Sequence, residues 1–156
     1  MKIKIFKIVG LIAMLLLSFF VFIGCSSNGD TARYTLKINI FYDKNVNNGS
    51  IFYAILRTDG HKSFINANNQ SLYEEYSKDN QNTKFMYINP LVSKKKVTMK
   101  TSLMTNQQAS IYFLFSNEVS QNWKYRFKAL TGDKTFNLYL KGDKIEKVEE
   151  KSFSIF

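Results

Sequence analysis

The sequence predicts an all-β, two-sheet β-sandwich with one short helical excursion after its second strand. Three observations predict it. Seven or eight short segments either alternate apolar and polar residues or run wholly apolar. Turn residues such as Asp-Gly, Asn-Gly and Asn-Pro punctuate them, the pattern of strands that bury one face or both. An apolar content of 45% with 15% aromatic residues is enough to fill a core, and 156 residues suit one domain.

The first strand is RYTLKINIFYD, residues 33–43. Tyr34, Leu36, Ile38, Ile40 and Tyr42 share one face, and Arg33, Thr35, Lys37 and Asn39 the other, wet face, with Phe41 as its exception. KNVNNGS, residues 44–50, reads as a loop. IFYAILR, residues 51–57, is apolar on both faces and so belongs in the middle of a sheet. Thr58-Asp59-Gly60 makes a turn, and residues 61–70 show no clear period. SLYEEYSKD, residues 71–79, supplies the helix, with Ser71 as its cap and Glu74 closing a capping box.

KFMYI, residues 84–88, is a brief strand ended by Asn89-Pro90. In residues 92–104, Val97, Met99 and Leu103 fall on one face. SIYFLFS, residues 110–116, reads as a buried strand. In residues 122–130, Trp123, Tyr125, Phe127 and Ala129 oppose Lys124, Arg126 and Lys128. Phe136, Leu138 and Leu140 alternate in residues 135–140, and Gly142-Asp143 turns the chain into KIEKV, an edge strand guarded by lysines.

Residues 1–24 are set apart. Lys2, Lys4 and Lys7 precede a 16-residue apolar run, Ile8 to Ile23, which stops at Gly24-Cys25. The run is short for a membrane span, which takes about 20 residues, and fits a secretory signal better. Phe22-Ile23-Gly24-Cys25 resembles a bacterial lipobox, with Phe22 in place of the usual Leu. That resemblance implies a diacylglycerol on Cys25 and cleavage before it; an uncleaved N-terminal anchor is the competing reading. Ser26 after the cysteine favours the outer membrane over inner-membrane retention. Residues 25–32 then form a lipidated flexible tether, residues 33–150 the sandwich, and residues 151–156 a C-terminal tail.

Little points to chemistry. A single cysteine excludes an intramolecular disulfide and a multi-cysteine zinc site. His61 is the only histidine and sits in a turn. Glu74 and Glu75 are adjacent, so a helix points them about 100° apart, as a solvated face rather than an acid–base pair. There is no phosphate-cradling glycine loop and no nucleophile elbow. The sequence therefore predicts no enzyme, no cofactor and no metal.

The net charge is +10, and +7 without residues 1–24. Such a balance suits nucleic acid, anionic lipid, an acidic partner or simply a solvated surface. Lys94, Lys95 and Lys96 form one basic run, and Lys124, Arg126 and Lys128 a stripe on the outer face of a strand. Nucleic-acid binders put aromatics on the same face as the charges, whereas here the aromatics oppose them. Recognition is left to loops, at residues 44–50 and 58–83.

The order of these features resembles the TssJ-type lipoproteins of the bacterial type VI secretion system. The resemblance rests on the lipobox and tether, a first strand ending in an Asn/Gly loop, and SIFYAILRTDGHKSF at residues 50–64. SLYEEYSKD, the Trp-led strand after IYFLFS and the last pair TFNLYLKGDKIEKV follow in the same order. It implies a transthyretin-like sandwich anchored in the outer membrane and facing the periplasm. Its work would be structural, holding the periplasmic domain of a TssM-type inner-membrane protein. The family's partner loop maps onto Lys44, Asn45, Val46, Asn47, Asn48, Gly49 and Ser50. Two readings stay open beside it: a ligand-binding or adhesin-like envelope lipoprotein, and a small envelope hydrolase.

Overall fold

A computed structural model describes residues 32–76, 78, 82–92, 95–116 and 122–151. Cys25, the signal, most of the tether, Lys94 and residues 152–156 lie outside the described residues. Eight strands form two four-stranded sheets, as the alternation predicts. The first sheet has the order β4-β1-β7-β8, built from β1 (Arg33–Phe41), β4 (Lys96–Met104), β7 (Lys134–Lys141) and β8 (Lys144–Lys151). The second has the order β3-β2-β5-β6, built from β2 (Phe52–Thr58), β3 (Thr83–Ile88), β5 (Ala109–Leu114) and β6 (Lys124–Phe127). β2 is central, as its apolar faces require, and β8 is an edge. All neighbouring strands run antiparallel except β1 and β7, which pair in parallel. β8 extends to Lys151, one residue into the expected tail.

The core lies between the sheets. Leu36, Ile38 and Ile40 of β1 and Leu138 of β7 are fully buried, as are Phe52 and Ala54 of β2 and Ile111 of β5. Burying a large aliphatic or aromatic side chain stabilises by about 1.5–3 kcal/mol, so period-two alternation fixes which face of each strand turns inward.

Asn39 departs from expectation. It stands on the outer face of β1, yet it is only 6% exposed. Its Nδ2 donates to Asn137 Oδ1 at 2.9 Å, and its Oδ1 accepts from Thr98 Oγ1 at 3.0 Å. Pairing across β4, β1 and β7 aligns these three residues in one cross-strand row. Their hydrogen bonds replace the water that a wet face would supply. Asn39→Ala leaves the buried Asn137 amide and the half-buried Thr98 hydroxyl without their partner, and is expected to cost about 1–3 kcal/mol in urea unfolding.

The excursion after β2 holds two helices, not one: α1 (His61–Asn66) and α2 (Asn69–Tyr76). The α2 helix starts two residues before the predicted position because Asn68, not Ser71, caps it. Asn68 Oδ1 accepts from Ser71 N at 2.9 Å, and Ser71 Oγ accepts from Asn68 N at 3.2 Å, a reciprocal box.

Candidate partner-binding surface

The loop that joins β1 to β2 is built as tightly as the strands. Val46–Gly49 form a 3-10 turn in which Asn47, Asn48 and Gly49 all take positive φ, at 53°, 53° and 75°. Asn and Gly are the residues that reach this region most readily, which is why Asn-Asn-Gly stands here. Asn47 is 1% exposed. Its Nδ2 reaches the carbonyls of Ser50 and Ile51 at 3.0 and 2.7 Å and Ser116 Oγ at 3.0 Å. Its Oδ1 accepts from Ser116 N at 2.7 Å, and its own N–H donates to Gly142 O at 3.0 Å. One side chain and its amide thus tie the loop to the end of β5 and to the β7–β8 turn.

This arrangement divides the seven loop residues singled out from the sequence. Val46 and Asn47 are buried and hold the loop; Lys44, Asn45, Asn48 and Ser50 are exposed, with Gly49 between. A Cβ on Gly49 would lie 3.6 Å from Leu91 Cδ2, so the β3–β4 connection stands beside the loop. Lys44, Asn45, Asn48, Gly49, Ser50 and Leu91 line one shallow concavity. Leu91, Val92 and Ile51 are exposed apolar residues at 69%, 80% and 41%. The surface therefore sets an amide-rich loop beside the exposed apolar side chain of Leu91. The sequence does not mark Leu91 and Val92 as exposed: Val92 reads as the start of the 92–104 strand segment, whereas β4 begins at Lys96.

The other polar constellations are structural. Arg57 ends the apolar strand β2, and its side chain is 8% exposed. Its Nε and Nη2 donate to Asp59 Oδ2 at 2.9 and 2.7 Å, and its Nη1 to Glu75 Oε1 at 2.6 Å. Asp59 also accepts from Ser110 Oγ at 2.7 Å and Tyr112 Oη at 2.5 Å. Burial opposes the guanidinium charge, but the hydrogen bonds to Asp59 and Glu75 outweigh it and hold Arg57 above its usual pKa. Burial, and then the hydrogen bond to Asp59, push the Tyr112 phenol up. Both shifts favour the protonated forms that these groups already hold at neutral pH. Glu75 is thus a half-buried clamp on α2 rather than part of the solvated face expected from the sequence.

The basic stripe also changes meaning. Lys124 and Arg126 stand on the outer face of β6, as expected, but α1 lies over that face. Lys124 Nζ donates to the carbonyls of Phe64, Ile65 and Ala67 at 2.7, 3.2 and 3.3 Å, closing the C-terminal end of α1. Burial and the Arg57 charge lower its pKa. Arg126 contacts His61 Nδ1 and Gln108 Oε1. His61 opens α1 instead of occupying a turn. Trp123 packs against Tyr112 at 5.8 Å, beside the Arg57 cluster, and not in line with Phe127. Lys124→Met removes the donor to three carbonyls and is expected to lower the thermal midpoint by a few degrees, about 1 kcal/mol, in a calorimetric scan. Among the described residues no group of three or more His, Cys, Asp or Glu could hold a metal, and no helix is long and apolar enough to cross a membrane.

No family model matches the chain, and no curated protein does. Solved structures do. The type VI secretion lipoprotein TssJ1 from Pseudomonas aeruginosa superposes with a TM-score of 0.59 at 10% identity, over 78% of this chain and 98% of that one. The chain has the TssJ fold. Serratia marcescens Lip, a membrane-bound component of the type VI secretion system, matches with a TM-score of 0.51 at 12% identity, over the same shares of the two chains. In this chain the fold is an all-β sandwich with α1 and α2 laid over the second sheet.

Proposed function

We propose that this protein is a structural, non-enzymatic lipoprotein subunit of a type VI secretion membrane complex. It anchors the periplasmic part of a TssM-type inner-membrane protein to the outer membrane. The observation that carries the reading is the match to TssJ1 over nearly the whole of that lipoprotein. The rigid β1–β2 loop supports it, because a preorganised loop loses little conformational entropy when a partner docks. In this reading Cys25 carries the lipid, and Lys44, Asn45, Asn48 and Ser50 meet the partner.

Two outcomes test the attachment and the surface separately. Cys25→Ser is expected to abolish palmitate labelling and free the chain from membranes after cell fractionation; labelling that persists refutes lipidation. Leu91→Asp with Val92→Asp is expected to reduce capture of the partner's periplasmic domain at least about tenfold. The urea midpoint should not change, since both side chains are exposed. Equal capture removes this surface from the interface.

A further inference from the structure

We infer that the outer face of the first sheet rests on an anionic lipid bilayer. This inference relies on the membrane attachment proposed above but not on the secretion partner. The two sheets treat their outward charges differently. On the second sheet, Arg57 is met by Asp59 and Glu75, and Lys124 by three carbonyls. The first sheet pairs only part of its charge, Lys134 with Glu150, Lys141 with Glu146 and Lys147 with Glu149, all at exposed or half-exposed side chains, and leaves other lysines without a carboxylate.

Strand register sets the face out in rows. One row runs Lys96–Phe41–Tyr139–Lys147, the next Thr98–Asn39–Asn137–Glu149, and the third Lys100–Lys37–Thr135–Lys151. These three rows therefore carry five lysines and one carboxylate. Glu149 is already held by Lys147 at 2.5 Å and by the Tyr139 hydroxyl at 3.0 Å. Among the described residues Lys37, Lys96, Lys100 and Lys151 pair with no carboxylate.

The middle row keeps the surface firm. Its amides hydrogen-bond to one another, and above them Phe41 and Tyr139 stack at 5.0 Å and 13°. Lys96 and Lys147 stand 6.0 and 5.9 Å from those rings. Four strands spaced about 4.8 Å apart make a platform roughly 15–20 Å across. Lysine ammonium groups are compact, hydrated point charges suited to a field of phosphates. Aromatic rings among them suit the headgroup level. Residues 25–32 link the attachment point to β1, and eight residues reach at most about 29 Å. The face and the bilayer are thus kept within reach of each other.

Lysine footprinting tests this on the full lipidated chain without substitutions. The chain is reconstituted into phosphatidylcholine vesicles, with or without about 30% phosphatidylglycerol, and flotation confirms attachment. Lysines are then acetylated from solution and read by mass spectrometry. We expect Lys37, Lys96, Lys100 and Lys151 to react about fivefold more slowly on the anionic vesicles, and Lys62 and Lys128 to react equally on both. Raising salt from about 0.05 to about 0.5 M should erase the difference, because the Debye length shrinks below about 5 Å. Floating chains with identical footprints on both vesicles overturn the inference. So does protection that appears only when an acidic envelope protein is added. A chain that does not float fails the attachment itself, which separates the two failures.

Discussion

Asp59→Ala is expected to lower the unfolding free energy by about 3–5 kcal/mol, the largest effect of any single polar substitution in the sandwich. Asp59 accepts four hydrogen bonds from three side chains, Arg57, Ser110 and Tyr112. Its own side chain is 5% exposed. Removing it strands a buried guanidinium with Glu75 as its one carboxylate and leaves the Ser110 and Tyr112 hydroxyls without their acceptor. Urea unfolding followed by the fluorescence of Trp123, which packs on Tyr112, reads the loss directly. Replacing Arg57 and Asp59 together by Met and Leu should cost less than the sum of the single changes, since no charge is then stranded. A loss under about 1 kcal/mol for Asp59→Ala would show that the cluster does not fasten the helices to the second sheet.

Asn47→Ala should cost about 2–4 kcal/mol and release the β1–β2 loop. The change removes the side-chain bonds to Ser50, Ile51 and Ser116 and puts a residue with no polar side chain at a φ of 53°. Capture of the partner domain should fall with it, because a loosened loop must be ordered again on binding. Lys44→Ala and Asn45→Ala should weaken capture with no change in the urea midpoint. Deleting residues 45–49 would mix the two effects, since Val46 belongs to the core and Asn47 is its anchor. Unchanged stability in Asn47→Ala would contradict the anchoring role.

These contrasts show what was legible in the sequence. The strands were, because Leu36-Ile38-Ile40 and Phe136-Leu138-Leu140 write their buried face with period two. The position of the loop was also legible, because Asn-Asn-Gly marks positive φ. The α1 helix was not: six residues give too few turns for a 3.6-residue period, and Gly60 caps it without a side chain. Nor was the Asn39–Asn137 pair, because its two members stand 98 residues apart and an asparagine on a strand's polar face looks solvated. The Arg57–Asp59 pair left a faint trace, an arginine ending an otherwise apolar strand with a carboxylate two residues on. Its partners Ser110, Tyr112 and Glu75 come from other elements, and only the tertiary fold brings them in.

The central claim is that the exposed rim of the β1–β2 loop holds a large inner-membrane protein from the outer-membrane side. Site-specific photo-crosslinking from Asn48, in cells making the lipidated chain at natural levels, tests it most directly. The account predicts a crosslink to the periplasmic domain of a TssM-type protein, lost when Asn47 is changed to Ala. Crosslinks confined to other proteins, or none from Asn48 while a probe at Lys62 captures that domain, would contradict it.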